Sequence, residues 1–221
     1  MELQMNFKRA EDAIIFPWLQ QNLTPQRTVV DIGARKGHWF KKIAYYFPDS
    51  PAHLFEPTPN IYEWLDNKHR KNDRVTIHGI ALSDVSATLD FHIDLELGGW
   101  SGLTQQREGG KYRTIKVPVK TLDSYKLKNV GLIKIDVEGN ELKTIRGAEK
   151  TIKNSKPFVY FECADVHMEN YDYGSGEIFD FFNNLNYDIL DLDLNMCTKE
   201  QLQEHTASNS SLYHNFIAKP K

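Results

Sequence analysis

Apolar residues recur along this chain in two periods, and the switches between them predict its elements. From Ala13 to Leu23 they return at helical spacing, but Pro17 interrupts the run. A short or kinked helix is expected there, covering the domain from within residues 1–26. Thr28 to Ile32 reads as a strand, followed by a glycine turn and a helix from about His38 to Phe47 that Pro48 ends. "AHLFE" is a second strand closing on Glu56, and "NIYEWLDNKHR" a second helix. "RVTIHGIAL" reads as one strand, "ATLDFHID" alternates like a half-exposed strand, and "TIKVPVKTL" carries a proline suited to an edge. "GLIKIDV" is a strand, after which Leu142, Ile145, Ala148 and Ile152 fall on one face of the helical stretch "GNELKTIRGAEKTIKN". Strand "PFVYFE", a helix near Gly176 to Leu185, and strands "YDILDLD" and "LYHNFIAKP" follow.

Strands alternating with helices imply an α/β fold, with a mainly parallel sheet covered by helices on both faces. The last two strands are expected to pair antiparallel, because nothing between them reads as a crossover helix. One domain over residues 1–221 accounts for the pattern. The glycine-rich stretch within residues 94–113 is long for a compact domain and is expected to act as a substrate loop or lid.

Composition narrows the partners. The 221 residues are 40% hydrophobic and 26% charged, with a formal net charge of -3, so no phosphate-binding surface is indicated and nucleic acid is not expected. Cys163 and Cys197 stand far apart without metal-ligand spacing and are expected as reduced thiols. No unbroken apolar run suggests a signal peptide or membrane span. A cytoplasmic protein without membrane association is the expectation.

The chemistry concentrates in "VVDIGARKGHWF". Gly33 and Gly37 let backbone approach a ligand, and the helix beginning beside them offers free N–H groups to an anion. A dinucleotide-binding turn would show GxGxxG, whereas here Ala34 and Arg35 follow Gly33 directly. The DxGxxxG pattern suits a ligand end bearing one carboxylate and one ammonium, with Asp31 as an acceptor. Glu56, roughly twenty residues on, is placed to accept from both hydroxyls of a ribose. Nucleoside plus amino acid is the ligand shape these residues describe, and S-adenosylmethionine has it.

Together, "VVDIGARKGHWF", "LFEPTPNIYEWL", "IALSD", "VKTLDSY" and "LIKIDVEGNELKTIRGAEKTI" resemble the FkbM family of S-adenosylmethionine-dependent methyltransferases, from about Val29 to Glu162. The resemblance implies a class I methyltransferase fold: a Rossmann-like, seven-stranded, mainly parallel sheet ending in an antiparallel strand. It places Asp31, Gly33, Ala34 and Gly37 around the methionine part, Glu56 on the ribose, and Ser83 and Asp84 near the adenine. Family members commonly have asparagine where this chain has Arg35, which leaves that side chain's polar contact open.

Methyl transfer from a sulfonium asks the protein for alignment and a route for the acceptor's proton. Asp136, ending a central strand beside the cofactor, is the first choice of base. Lys134, two residues earlier on the same strand face, can pair with it or reach the substrate. Glu162, at the next strand end, and His167 just beyond are further candidates. Glu138 begins the following helix and is a candidate for substrate contact. Trp100 and Ser101 in the glycine-rich loop are candidates to stack on and bond to a sugar. Asp136, Glu162 and Asp165 offer oxygens to magnesium, but no ligand spacing demands a metal, and none is expected. Tyr171 and Tyr173 offer surface or packing, and His53 and His78 read as structural.

The expected activity is O-methylation of a sugar hydroxyl in a glycan or glycan precursor. The alternatives are a non-sugar natural product as acceptor, a nicotinamide-dependent oxidoreductase, or a non-catalytic cofactor-binding module. A glycosyltransferase fused to or associated with the domain is compatible with a glycan acceptor, and the sequence leaves the oligomeric state open.

Overall fold

In a computed structural model, which describes residues 11–97, 99–168, 170–207 and 214–221, strand β1 (Thr28–Ile32) lies at the middle of a seven-stranded sheet. It pairs in parallel with β2 (Ala52–Phe55) on one side and β7 (Val130–Ile135) on the other. Beyond β2 lies β3 (Val75–His78), and beyond β7 lies β8 (Phe158–Glu162), both parallel to their neighbours. The strand β10 (Asn215–Pro220) inserts antiparallel between β8 and β9 (Tyr187–Leu190), giving the order β3-β2-β1-β7-β8-β10-β9. The mainly parallel sheet with antiparallel pairing at its C-terminal side is as the sequence predicts.

Every residue of β1 and β7 is buried, because period two sends alternate side chains into separate cores above and below the sheet. Val30, Ile32, Ile133 and Ile135 pack on one face against Leu142, Ile145 and Ile152. These last come from α4 (Glu141–Arg146) and α5 (Glu149–Ser155). Val29 and Leu132 point the other way. They meet Phe16 and Leu19 of α1 (Phe16–Asn22) and Phe40 and Ile43 of α2 (His38–Tyr46). Each such side chain contributes roughly 1.5–3 kcal/mol when fully buried. The covering helix thus forms despite Pro17, which sits in its first turn, where a missing N–H is harmless. A π-helical turn, Glu11–Ile15, precedes it; the part of the expected covering element before residue 11 lies outside the described residues.

The structure corrects several element assignments. "RVTIHGIAL" is not one strand: β3 ends at His78, Gly79 packs against the Tyr62 ring of α3 (Pro59–His69), and the chain re-emerges as β4 (Ala81–Leu82) in a different sheet. "ATLDFHID" and "TIKVPVKTL" likewise leave the main sheet, forming β5 (Ala87–Asp94) and β6 (Tyr112–Lys120) of a three-stranded sheet ordered β4-β6-β5. Pro118 is tolerated in the middle strand because β4 reaches only Val119 and Lys120.

The long helix predicted after β7 is broken into α4 and α5. A Cβ on Gly147 would stand 2.0 Å from the Ser83 carbonyl oxygen, and that close approach interrupts the helix. After β8 come the single turn α6 (Asp165–Met168) and α7 (Ser175–Asn184). Between β9 and β10 lies a helix the sequence did not announce, α8 (Lys199–Ala207). Only Leu202 and Thr206 of its residues are buried, too few for a visible apolar stripe.

Candidate active site

Strand order reverses between β1 and β7, and in an open α/β sheet a crevice forms there, outside the carboxyl ends of the strands. The two strand ends are tied together. Asp136 N–H donates to the Ile32 carbonyl at 3.2 Å, and Gly33, at φ +76°, presses so close that a Cβ would stand 1.9 Å from the Asp136 carbonyl oxygen. No other residue fits there. The N–H groups of Gly33 and Ala34 donate to the Phe55 carbonyl at 3.1 and 3.0 Å, fixing the turn to the end of β2. Gly37, also left-handed at φ +66°, caps α2.

A cavity of about 400 Å3 opens above this junction. Gly33, Ala34, Arg35 and His38 line one side, Phe55, Glu56 and Thr58 the next, and Asp136 and Glu138 the far end. Ile61, Ile80, Ala81 and Leu82 give it an apolar wall, and Phe91, Ser101 and Leu103 belong to the small sheet and its loop. Glu56 is buried, accepting from Arg35 N–H at 2.9 Å on one oxygen and Thr58 N–H at 2.8 Å on the other. Burial raises its pKa against these hydrogen bonds. The Thr58 side chain adds a further bond, and of the roughly four lone-pair sites of a carboxylate one remains for a ligand hydroxyl.

Asp31 does not line the cavity. It is fully buried beneath the turn, its pKa raised by that burial, with the Lys134 ammonium 3.4 Å away. Lys134 also lies 3.2 Å from the Asp136 carboxylate and donates to the Gly33 carbonyl at 2.9 Å. Burial alone would lower its pKa, but Asp136 and Asp31 outweigh it and hold the ammonium charged. Asp136 itself reaches solvent, its side chain 41% exposed against 6% for Lys134. Lys134 therefore braces the turn and Asp136 together.

Behind Asp136 the structure gathers Glu138, Glu162 and His167. The imidazole Nδ1 lies 3.4 Å from the Glu138 carboxylate and 3.5 Å from that of Glu162. Burial, then mutual repulsion, pushes the Glu138 pKa well above the ordinary range, and burial raises that of Glu162. Burial would lower the His167 pKa, yet the bond and charge of Glu162 raise it overall. Glu141 joins this acidic floor: it accepts from Val137 N–H at 2.9 Å, and burial with the charge of Glu162 pushes it up to about 8. Asp165 does not converge here. Its oxygens accept from Ser175 N–H, Ser175 Oγ and Thr206 Oγ, tying α7 and α8 to α6.

The glycine-rich loop is anchored rather than free. Gly102 pairs with His92, Arg107 bridges Asp94 and Glu96 at 2.9 and 2.8 Å, and Gln106 Nε2 donates to the Glu138 carbonyl at 2.6 Å. Ser101 lines the cavity while its Oγ accepts from Asp94 N–H at 3.0 Å. Trp100 meets the His167 ring edge-to-face at 5.1 Å and does not line the cavity. Tyr171 and Tyr173 pack against the Gly139 turn, where Tyr173 OH donates to the Gly139 carbonyl at 2.6 Å. His53 and His78 stack 5.3 Å apart and share a contact of 3.0 Å between ring nitrogens.

Ser83 and Asp84 lie outside the cavity lining. Ser83 Oγ donates to Asp84 and to Asn140, and Asn140 and Thr144 both donate to the Leu82 carbonyl. Asn140 lines the cavity, as do Phe55 and Thr58, and sequence reasoning missed all three. The polar residue after "VEG" and the threonine two places after Glu56 were the available signals.

Comparison with known proteins bears on what this arrangement serves. The model of the methyltransferase FkbM domain matches residues 31–189. The 2-O-methyltransferase NoeI of Sinorhizobium fredii is 26% identical over 161 residues, covering 65% of this chain and 66% of that protein. Among solved structures, the FkbM methyltransferase of Methylobacillus flagellatus superposes with a TM-score of 0.55 at 16% identity, over 87% of this chain and 43% of its own. An O-methyltransferase family protein of Burkholderia thailandensis reaches 0.50 at 9% identity, over 99% of this chain and 56% of its own. The chain thus spans just under two thirds of the curated relative and less than half of the Methylobacillus protein, and the structural likenesses establish the fold. No helix among the described residues is long and apolar enough to cross a membrane. With the family model covering most of its length, the chain belongs to the FkbM family of S-adenosylmethionine-dependent methyltransferases.

Proposed function

We propose that this chain is an S-adenosylmethionine-dependent O-methyltransferase whose acceptor is a sugar hydroxyl in a glycan or glycan precursor. The observation that carries the reading is Asp136: a solvent-reaching carboxylate, held 3.2 Å from a buried ammonium, on the wall of a cavity that also contains the Gly33 turn and Glu56. The residues present fit the cofactor. Glu56 keeps an acceptor site for a ribose hydroxyl, Ile80, Ala81 and Leu82 form an apolar wall for a flat base, and the start of α2 offers N–H groups to a carboxylate. Asp136, the solvent-reaching carboxylate of the lining, suits a cationic sulfonium. When bound, the cofactor supplies an electrophilic methyl group to an in-line displacement. The protein holds the two reactants in line, with Lys134 fixing Asp136 against the turn, and Asp136 takes the acceptor's hydroxyl proton as its oxygen bonds to the methyl carbon.

Oxygen as acceptor is supported by that carboxylate and by the 2-O position in the name of NoeI. A sugar is supported by the loop wall, where Phe91 and Leu103 flank the Ser101 hydroxyl, a mixture that suits the faces and edge of a pyranose. A melt of the purified chain with S-adenosylhomocysteine near a hundred times its Kd should gain roughly 2.7 kcal/mol, with no gain from NAD. Label from methyl-tritiated S-adenosylmethionine should then appear on oxygen in a panel of sugars and glycans. Asp136→Asn should keep the melting shift and lose at least about a hundredfold in turnover. Near-wild-type turnover in that variant removes Asp136 from the role. A shift without transfer to any acceptor favours the non-catalytic module.

A further inference from the structure

Behind Asp136, three polar atoms have one another as neighbours, at ion-pair distances of 3.4 and 3.5 Å. Glu138 Oε2, Glu162 Oε2 and His167 Nδ1 are each buried from solvent without a hydrogen-bond partner. They come from three separate elements: the turn after β7, the end of β8, and α6. All three lie within 4.8 Å of one another. One imidazole shared at long range between two carboxylates leaves most of their buried lone pairs unfilled, and a cation would fill them.

The geometry suits a metal ion. Ligands about 2.0–2.1 Å from a tetrahedral zinc stand roughly 3.3 Å apart. The two imidazole-to-carboxylate separations are 3.4 and 3.5 Å, and the remaining pair closes from within 4.8 Å by side-chain rotation. The backbone keeps the set together. Glu138 sits in the left-handed region at φ +56°, and Gly139 follows at φ +96°. A Cβ on Gly139 would be 2.0 Å from the His167 carbonyl oxygen, so the turn is pressed against the element that carries the imidazole. Gln106 holds the Glu138 carbonyl from above, and the Trp100 ring covers His167.

We infer that Glu138, Glu162 and His167 form a divalent metal site behind Asp136, reached from the cavity through Glu138, taking zinc, manganese or cobalt rather than magnesium. One nitrogen and two oxygen donors favour such ions, whereas magnesium prefers an all-oxygen shell that retains water. Three protein ligands leave a coordination position open. The use of the site rests on the methyl-transfer reading: a ligated acceptor hydroxyl is more acidic, its proton passes to Asp136, its oxygen forms the bond to the methyl carbon, and the sulfur–methyl bond breaks to leave a neutral thioether. Binding of the ion does not rest on that reading.

The untagged full chain, stripped with chelator and dialysed, should bind one equivalent of Mn2+, read as loss of the free-ion electron paramagnetic resonance signal. Co2+ should give the visible absorption of a nitrogen- and oxygen-ligated ion, and Zn2+ should displace both. Glu162→Gln and His167→Ala should each weaken Mn2+ binding at least about tenfold while keeping the far-ultraviolet circular dichroism and the S-adenosylhomocysteine melting shift of the wild type. Absence of stoichiometric binding at 100-fold excess metal, or binding unchanged in both folded variants, overturns the site. Neither cofactor nor acceptor enters the titration, so its failure leaves the methyltransferase reading standing, and a failed melting shift leaves the metal result standing.

Discussion

His78 is a residue whose chemistry shows in stability rather than in catalysis. Burial, then the charges of His53 and Lys120, lowers its pKa from 6.5 to about 4. Between those values the unfolded chain binds a proton that the folded chain does not, so stability is complete above pH 6.5 and is lost as pH falls toward 4. Because the ring is only half-buried, the loss is on the order of 1–2 kcal/mol after screening. Melts at pH 7.5 and 5 should show the wild type losing several degrees. His78→Phe keeps the stack on Phe55, whose ring centroid is 4.4 Å away, and should lose less; an equal loss in both places the acid sensitivity elsewhere. The sequence marked His78 as structural, and it marked Gly33, Glu56 and Asp136 because a strand end followed by a turn is a local pattern. Asp31 shows where local reading stops. It was flagged as a ligand contact, but whether a strand residue lines the cavity or lies beneath it depends on the neighbouring strand's register, which pairs Asp31 with Lys134.

Elements built from local periodicity were legible, and those that depend on close approach elsewhere were not. The break between α4 and α5 follows from the Ser83 carbonyl against Gly147, a contact between positions far apart in sequence. The small sheet follows from the exit at Gly79, and alternation alone cannot say which sheet a strand joins. The glycine-rich loop is a further case: its composition does not reveal that Asp94 gathers Arg107 and the N–H groups of Glu96 and Leu97 into one knot. Arg107→Ala should open that knot. Limited proteolysis within residues 95–111 should quicken several-fold and acceptor KM should rise, with S-adenosylhomocysteine affinity held within about twofold and the fold intact. Unchanged cleavage would show that the pairing of Gly102 with His92 and the bond from Gln106 suffice.

At the scale of the whole molecule, the cavity is walled by two sheets with separate cores, since Ala81, Phe91, Val117 and Val119 cluster apart from the main ones. Hydrogen exchange should resolve them: amides of β1 and β7 should exchange last, and those of β5 and β6 earlier, as a unit that opens on its own. S-adenosylhomocysteine should slow exchange both at the Gly33 turn and at Ala81–Leu82, because both line the cavity. Protection confined to the turn would show that the ligand engages only the main sheet. The family-level architecture was legible because its motifs lie at strand ends, where spacing along the chain reports position along the sheet edge. One topological feature carries a consequence for synthesis. Because β10 lies between β8 and β9, those two strands never touch: β8 can pair with β7 as it is made, but its other edge, and the edge of β9, pair only with a segment the ribosome makes later. Until Asn215–Pro220 emerges, β8 waits with an open edge bearing Phe158, Tyr160 and Phe161. The nascent chain is most exposed to aggregation and to chaperone capture in that interval, after the cofactor turn is already made.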